Sequence, residues 1–410
     1  MVSSFGDRLN VARRMMEEFA RLSGLTSDRS QDRYLWTDAF AVFNFVGLYA
    51  HTRDEAFKRL ALLLVDKVHF TLGRHRGDDG RSGWISGLSD EEAREHPTAG
   101  GLRIGKPLPE RRPDEPYDPI LEWERDGQYY HYLTKWMLAL CRVYQVTGDT
   151  RYLRWSVELA EVAHRAFVYT SEIDGRRHIY WKMSVDLTRP LVPQEGQHDL
   201  LDGLATYAEL QLAVKDARAN LPDLNSETRE LLEMCMERDW SDWVTDDPLG
   251  VGELLCILYR LAKLTAKGLK ELSPLVDSVL EASCVSLQAY LPKDIVHLPA
   301  NSRLAFRELG LAIGLHAAQK LSDMSEKLSI SQELLERILK HKPLASKIIE
   351  FWLNPKNQQA KSWQKHRNIN MVMLAASLVP DGYLGGPKPS PQHSSPEPIA
   401  GGVRWGKGYL

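Results

Sequence analysis

In LVPQEGQHDLLDG, residues 191–203, an imidazole and two carboxylates (His198, Asp199 and Asp202) stand where an apolar helical pattern begins. A helix start needs one side-chain oxygen to cap its free N–H groups, and either aspartate supplies it. The surplus is of a type that moves protons, because a carboxylate beside an imidazole has a pKa that its surroundings tune. A second set lies in EWERDGQYYHY, residues 122–132, where Glu124 and Asp126 alternate with Trp123, Tyr129, Tyr130 and His131. The helix dipole explains one or two acids at a first turn, but not the rings. Aromatic faces next to carboxylates are what a sugar cleft uses: the rings stack on C–H surfaces and the acids take hydroxyls.

Two chemistries follow. Glycosidic cleavage needs one protonated and one ionised carboxyl group, and Asp126 and Asp199 are the expected pair, with Glu124 and Asp202 as substitutes. Alternatively, His131, His198 or His366 exchanges a proton at a carbon next to a carbonyl, since imidazole titrates near working pH. Trp36, Trp84 in RSGWISG and Trp181 in IYWKM are candidate stacking platforms. Arg303 and Arg307, a turn apart in NSRLAFRELG, are candidates for gripping a carboxylate or phosphate. Each of these residues also has an ordinary structural use as cap, ion pair, loop anchor or core side chain.

The elements that must position them are helices. Residues 150–167 repeat Arg and Glu at three- and four-residue steps on an otherwise apolar helix, while 128–146 is apolar or aromatic on nearly every side. The same pairing joins 38–50 to 53–70, then 199–217 to 226–239, 249–267 to 271–290, 302–318 to 331–353, and 369–379 back to 7–23. That makes about twelve helices, alternately enclosed and amphipathic. Links from an enclosed helix to the next are mostly short, such as HT and TGDT. The return links (71–127, 168–198, 240–248, 291–301 and 354–368) are long, so in an antiparallel arrangement they share one face. Loops gathered on one face of a rigid scaffold are where binding and catalysis usually sit. The insert 71–127 is Gly-, Pro- and Arg-rich, and 168–190 reads as a small hairpin, a lid candidate over that face. Residues 1–380 read as one domain, and the Pro/Ser/Gly-rich 381–410 as a largely disordered tail.

Of the 410 residues 43% are hydrophobic and 26% charged, with a net charge of −3, which gives no basic footprint for nucleic acid or an anionic membrane. No signal-peptide stretch or bilayer-length apolar run occurs, so a soluble cytoplasmic protein is expected. Cys141, Cys235, Cys256 and Cys284 lie apart in apolar patterns and read as buried thiols. GGLRIG lacks the context of a dinucleotide loop, no GxxxxGK[ST] or GxSxG occurs, and His69 and His75 have no partners at metal spacing. No cofactor or metal is expected.

The hairpin style, Y…TGD.RYL…..ELA, and the loop-fed enclosed helices resemble the (α/α)6 barrel of the six-hairpin glycosidase-like superfamily over about residues 5–380. The resemblance implies an all-α toroid with an aromatic-lined cleft at its loop-rich end, where Asp, Glu or His act as acid and base. It implies a small-molecule or oligosaccharide substrate and, first, a glycoside hydrolase. A sugar epimerase, a polysaccharide lyase or a non-catalytic glycan- or protein-binding toroid are the alternatives. No DxDD or DDxxD run favours a terpene cyclase.

Overall fold

A helix that is apolar on every side is stable only when surrounded, and here such helices surround one another. The computed structural model describes residues 4–27 and 32–385. Among the described residues six helices close an inner ring: Leu35–Thr52, Tyr130–Thr147, Asp199–Ala217, Pro248–Ala266, Ala305–Ser322 and Arg367–Leu378. Each packs on the next, and the sixth on the first. Outside them lie Glu55–Leu72, Thr150–Phe167, Asn225–Met236, Ser273–Tyr290, Pro343–Leu353 and Phe5–Leu22. The chain is an (α/α)6 barrel.

Burial follows the pattern of polarity. Every residue from Leu35 to Leu48 is buried, whereas Thr150–Phe167 turns Arg151, Arg154 and Arg165 to solvent. At the short links Arg53 (φ 58°) and Gly148 (φ 72°) stop the inner helices in left-handed backbone conformations, and Asp54 and Asp149 cap the outer ones. Because each pair is an antiparallel hairpin, all six inner helices begin at the same end, below the long links. The fourth and fifth inner helices meet backbone to backbone: a Cβ on Gly252 would lie 2.2 Å from the carbonyl oxygen of Gly310.

Several expected boundaries shift. Residues 331–353 form two helices, Gln332–Leu339 and Pro343–Leu353, because Pro343 lacks an N–H and its ring clashes with a preceding turn. The insert 71–127 is less irregular than expected, holding helices Asp90–Glu95 and Pro119–Glu124 and bridges from Arg74 to Trp84 and from Leu108 to Arg125. Val168–Thr170 pairs with Arg177–Ile179 as a hairpin. Lys182–Met183 then pairs with both Gln128–Tyr129 and Pro190–Val192, tying this region to the entrance of the second inner helix. Asp381–Leu384, expected in the tail, is a helix packed on the first inner helix through buried Tyr383 and Leu384. The expected disorder of 386–410 lies outside the described residues. All four cysteines are buried free thiols, and no described helix is long and apolar enough to cross a membrane.

Candidate functional site

Asp199 and Asp202 begin the third inner helix, three residues apart and on one side of it. Their surroundings drive them in opposite directions. Asp202 accepts from Lys135 Nζ and from Arg260, each at 2.8 Å, and from the Thr134 hydroxyl. These cations hold its carboxyl far below the usual carboxylate range despite complete burial. Asp199 touches no cation and feels the Lys135 charge only from a distance: its side chain is pressed on Gly196, where a Cβ would lie 2.3 Å from its Oδ2, and that oxygen is buried without a hydrogen-bond partner. Burial first, then the negative charge of Asp202, push its pKa up to about 8. At neutral pH Asp199 is a carboxylic acid and Asp202 a carboxylate, a division that suits one to chemistry and the other to support.

His131, on the second inner helix, faces this acid with Nδ1 3.7 Å from Asp199 Oδ1. Burial and the Lys135 ammonium lower its pKa to about 4, so the ring is neutral. His198 is turned elsewhere: its Nε2 lies 2.8 Å from the Trp243 carbonyl. A carbonyl only accepts, so Nε2 carries the proton. Beneath His131, Glu253 of the fourth inner helix accepts from Lys135 Nζ at 2.6 Å. Ligand atoms of His131, Asp202 and Glu253 lie within 4.8 Å of one another, a donor set of the kind that holds a divalent metal. Lys135 already places a positive charge against two of the three.

An aromatic wall begins at Tyr132, whose ring lies 6.0 Å from that of His131. Tyr129 stacks on Trp181 with centroids 5.3 Å apart and an interplanar angle of 14°, and Trp123 leans on Trp181 at 5.7 Å. Tyr132 meets Tyr129 edge-on at 5.1 Å, and its hydroxyl lies 2.6 Å from that of Tyr34. Lys106 sits over Trp123 and Tyr34 at 5.0 and 5.6 Å. Trp123 is 49% exposed, so part of its ring is open to solvent. Glu124 is exposed, and its charge reaches Lys106 from the insert and His366 at the sixth entrance. His366 itself stands edge-on to Phe306 at 5.7 Å. Arg307 pairs with Asp247, which also caps the fourth inner helix.

Other expected site residues lie inside the protein. Asp126 is wholly buried: Arg103 and the amides of Gly105 and Gly127 donate to its oxygens, with Arg76 at 3.5 Å. Arg103 also donates to the carbonyls of Arg74 and Thr71, so this carboxylate anchors the insert. Arg303 is buried against Glu308 and lies 3.7 Å from the Phe351 centroid, which separates it from Arg307. Trp36 packs on Phe40, Tyr130 packs on Phe167 with its hydroxyl toward Gly203, and Trp84 donates from Nε1 to Asp90 at 2.7 Å. Lys106, Tyr132, Lys135 and Glu253 were not singled out from the sequence. Lys135 and Glu253 had a legible signal, a lone charge inside an enclosed helix, because burial forces such a charge to find a partner.

No protein-family model and no curated protein matches the sequence. Solved structures do match in fold. The GH76 α-mannanase of Bacteroides thetaiotaomicron aligns with a TM-score of 0.53 at 11% identity, over 94% of this chain and 98% of that one. A sugar epimerase from a ruminal bacterium aligns at 0.52 and 12% identity, over 92% and 98%. A D-mannose isomerase aligns at 0.51 and 12% identity, over 90% and 96%. The chain therefore shares the six-hairpin (α/α)6 barrel with these proteins.

Proposed function

We propose that the chain is a carbohydrate-active enzyme that isomerises or epimerises a sugar by proton transfer between Asp199 and His131. The observation that carries this reading is the neutral acid with an unpartnered oxygen facing a neutral imidazole. In the proposed step His131 takes the proton from the carbon next to the sugar carbonyl while Asp199 gives its proton to the carbonyl oxygen, leaving an enediol. His131 then gives its proton to the neighbouring carbon while Asp199 takes back a proton from the hydroxyl that becomes the new carbonyl, which completes isomerisation and restores the pair; epimerisation uses the same two groups once the enediol has turned its other face to His131. Trp123, the exposed member of its stack with Trp181 and buried Tyr129, supplies the stacking face. Fold neighbours that include a sugar epimerase and a D-mannose isomerase support this class of substrate.

Glycoside hydrolysis is the second reading. It keeps Asp199 as acid, favoured by its raised pKa, but the expected partner Asp126 is caged by Arg103, so the second carboxyl group would be exposed Glu124. The two readings separate in D2O with mannose, cellobiose and α-1,6-mannotriose as probes, followed by NMR. Proton transfer predicts deuterium at C2 of a free aldose with the natural protein and none with Asp199→Asn or His131→Phe. Cleavage of mannotriose without exchange sinks the isomerase reading in favour of hydrolysis.

A further inference from the structure

A row of charges runs through the barrel away from Asp199. Glu253 pairs with Lys135 (2.6 Å), Lys135 with Asp202 (2.8 Å), Asp202 with Arg260 (2.8 Å), Arg260 with Glu209 (2.6 Å) and Glu209 with Arg142 (2.7 Å). Three acids alternate with three bases, so the row is neutral. Lys263 stands beyond its last member as a further cation. It makes no ion pair among the described residues: its Nζ donates to the Leu384 carbonyl at 3.1 Å and lies over the Tyr259 ring, 5.5 Å from the centroid. Burial lowers its pKa to about 8, against the opposing charge of Glu209 and with the help of Arg142, Lys267 and Arg260.

Lys263 opens on a cavity of about 380 Å³ at the short-link end of the barrel, remote in the fold from the inner-helix entrances. Arg142, Gln145 and Lys267 share its lining. Arg142 is 4% exposed, and its Nε–H has no partner although its other nitrogens serve Gln145, Glu209 and Tyr383. Two acids also line the cavity: Glu209, already shared by two guanidinium groups, and exposed Asp216. Gly385 forms a wall in a positive-φ conformation, and a Cβ there would lie 2.7 Å from Lys263 Nζ. The space is of small-ligand size, and an acid is what the alternation lacks at this end.

We propose that this cavity binds the carboxylate or phosphate of a small metabolite, which pairs with Lys263 and draws on Arg142 and Lys267. The site is independent of the chemistry at Asp199. Isothermal titration of the full chain at about 150 mM KCl, where surface attraction is screened, tests it with inorganic phosphate, mannose 6-phosphate and succinate. At least one probe is expected to bind, and Lys263→Gln to weaken it about tenfold or more, since an ionic partner in a desolvated site is lost. Arg59→Gln, on the exposed face of the first outer helix, should leave binding unchanged. Binding should also weaken as pH rises through 8 and Lys263 loses its proton. Preference for the phosphates over succinate, or the reverse, tells the two ligand sources apart. Should Lys263→Gln fail to fold, Lys267→Glu at the rim makes the same comparison. Failure of all three probes to bind, or binding that neither lysine variant weakens, overturns the proposal.

Discussion

Two aspartates of one helix turn, Asp199 and Asp202, differ in charge at neutral pH because only one of them meets a cation. That difference makes stability depend on pH. The folded chain keeps a proton on Asp199 up to about pH 8, whereas the unfolded chain releases it near the ordinary value of 3.8. Between those values the native state binds more protons, so stability falls as pH rises through the window and levels off above it. Asp199→Asn cannot ionise; its melting temperature relative to the natural protein should therefore be higher at pH 8 than at pH 5 by calorimetry. The neutral rings of half-buried His131 and buried His69, lowered to about 4 and about 3, act on the other limb. The unfolded chain protonates both below about 6.5 while the fold does not, so acid below that value destabilises. Lys135→Met leaves Asp202 short of one cation and Glu253 of its partner; a loss of about 3–5 kcal/mol in denaturant unfolding is expected.

At the scale of elements, the inner helices are held by close approach as well as by burial. Gly252→Ala would bring a methyl group against the backbone of Gly310, where no side chain can yield, so the fourth and fifth inner helices must separate. A destabilisation of about 1–3 kcal/mol follows, measurable as a lower melting temperature with little change in secondary structure. Arg103 is a central anchor of the insert: it joins Asp126 to the carbonyls of Arg74 and Thr71, and Arg76 adds bonds to the carbonyls of Lys106 and Pro107. Arg103→Leu should expose 74–127 to limited proteolysis before the barrel itself unfolds; uniform cleavage across the chain would show that the insert has no such anchor.

The whole molecule joins residues that no single element contains. Trp123 comes from the insert, Tyr129 and Tyr132 from the second entrance, Trp181 from the hairpin region and Tyr34 from the first entrance. Trp123→Ala removes an exposed ring and should leave stability unchanged. If the wall binds the sugar, KM for an oligosaccharide should rise with little change in kcat; an unaltered KM would take the wall out of the site.

The periodic parts were legible. Helices Thr150–Phe167 and Asp199–Ala217 match their sequence bounds because polarity repeats with the helical period and an aspartate or a loop marks the start. The loop asymmetry likewise put Asp199, His131, Trp123, Tyr129 and Trp181 at one end. What type and spacing left undecided was the partner of each charge. Asp126 and Asp199 are alike as acids at the entrances of adjacent helices, yet one meets a guanidinium and two amides while the other meets a glycine, a neutral imidazole and a like charge. Arg303 and Arg307, a turn apart, likewise part company, one into the core and one to the mouth. Local sequence therefore determined the helices and the end at which they gather their polar residues, because periodicity is a property of neighbours. Tertiary structure alone decided which acid keeps its proton, because desolvation and charge pairing depend on groups brought together from distant parts of the chain.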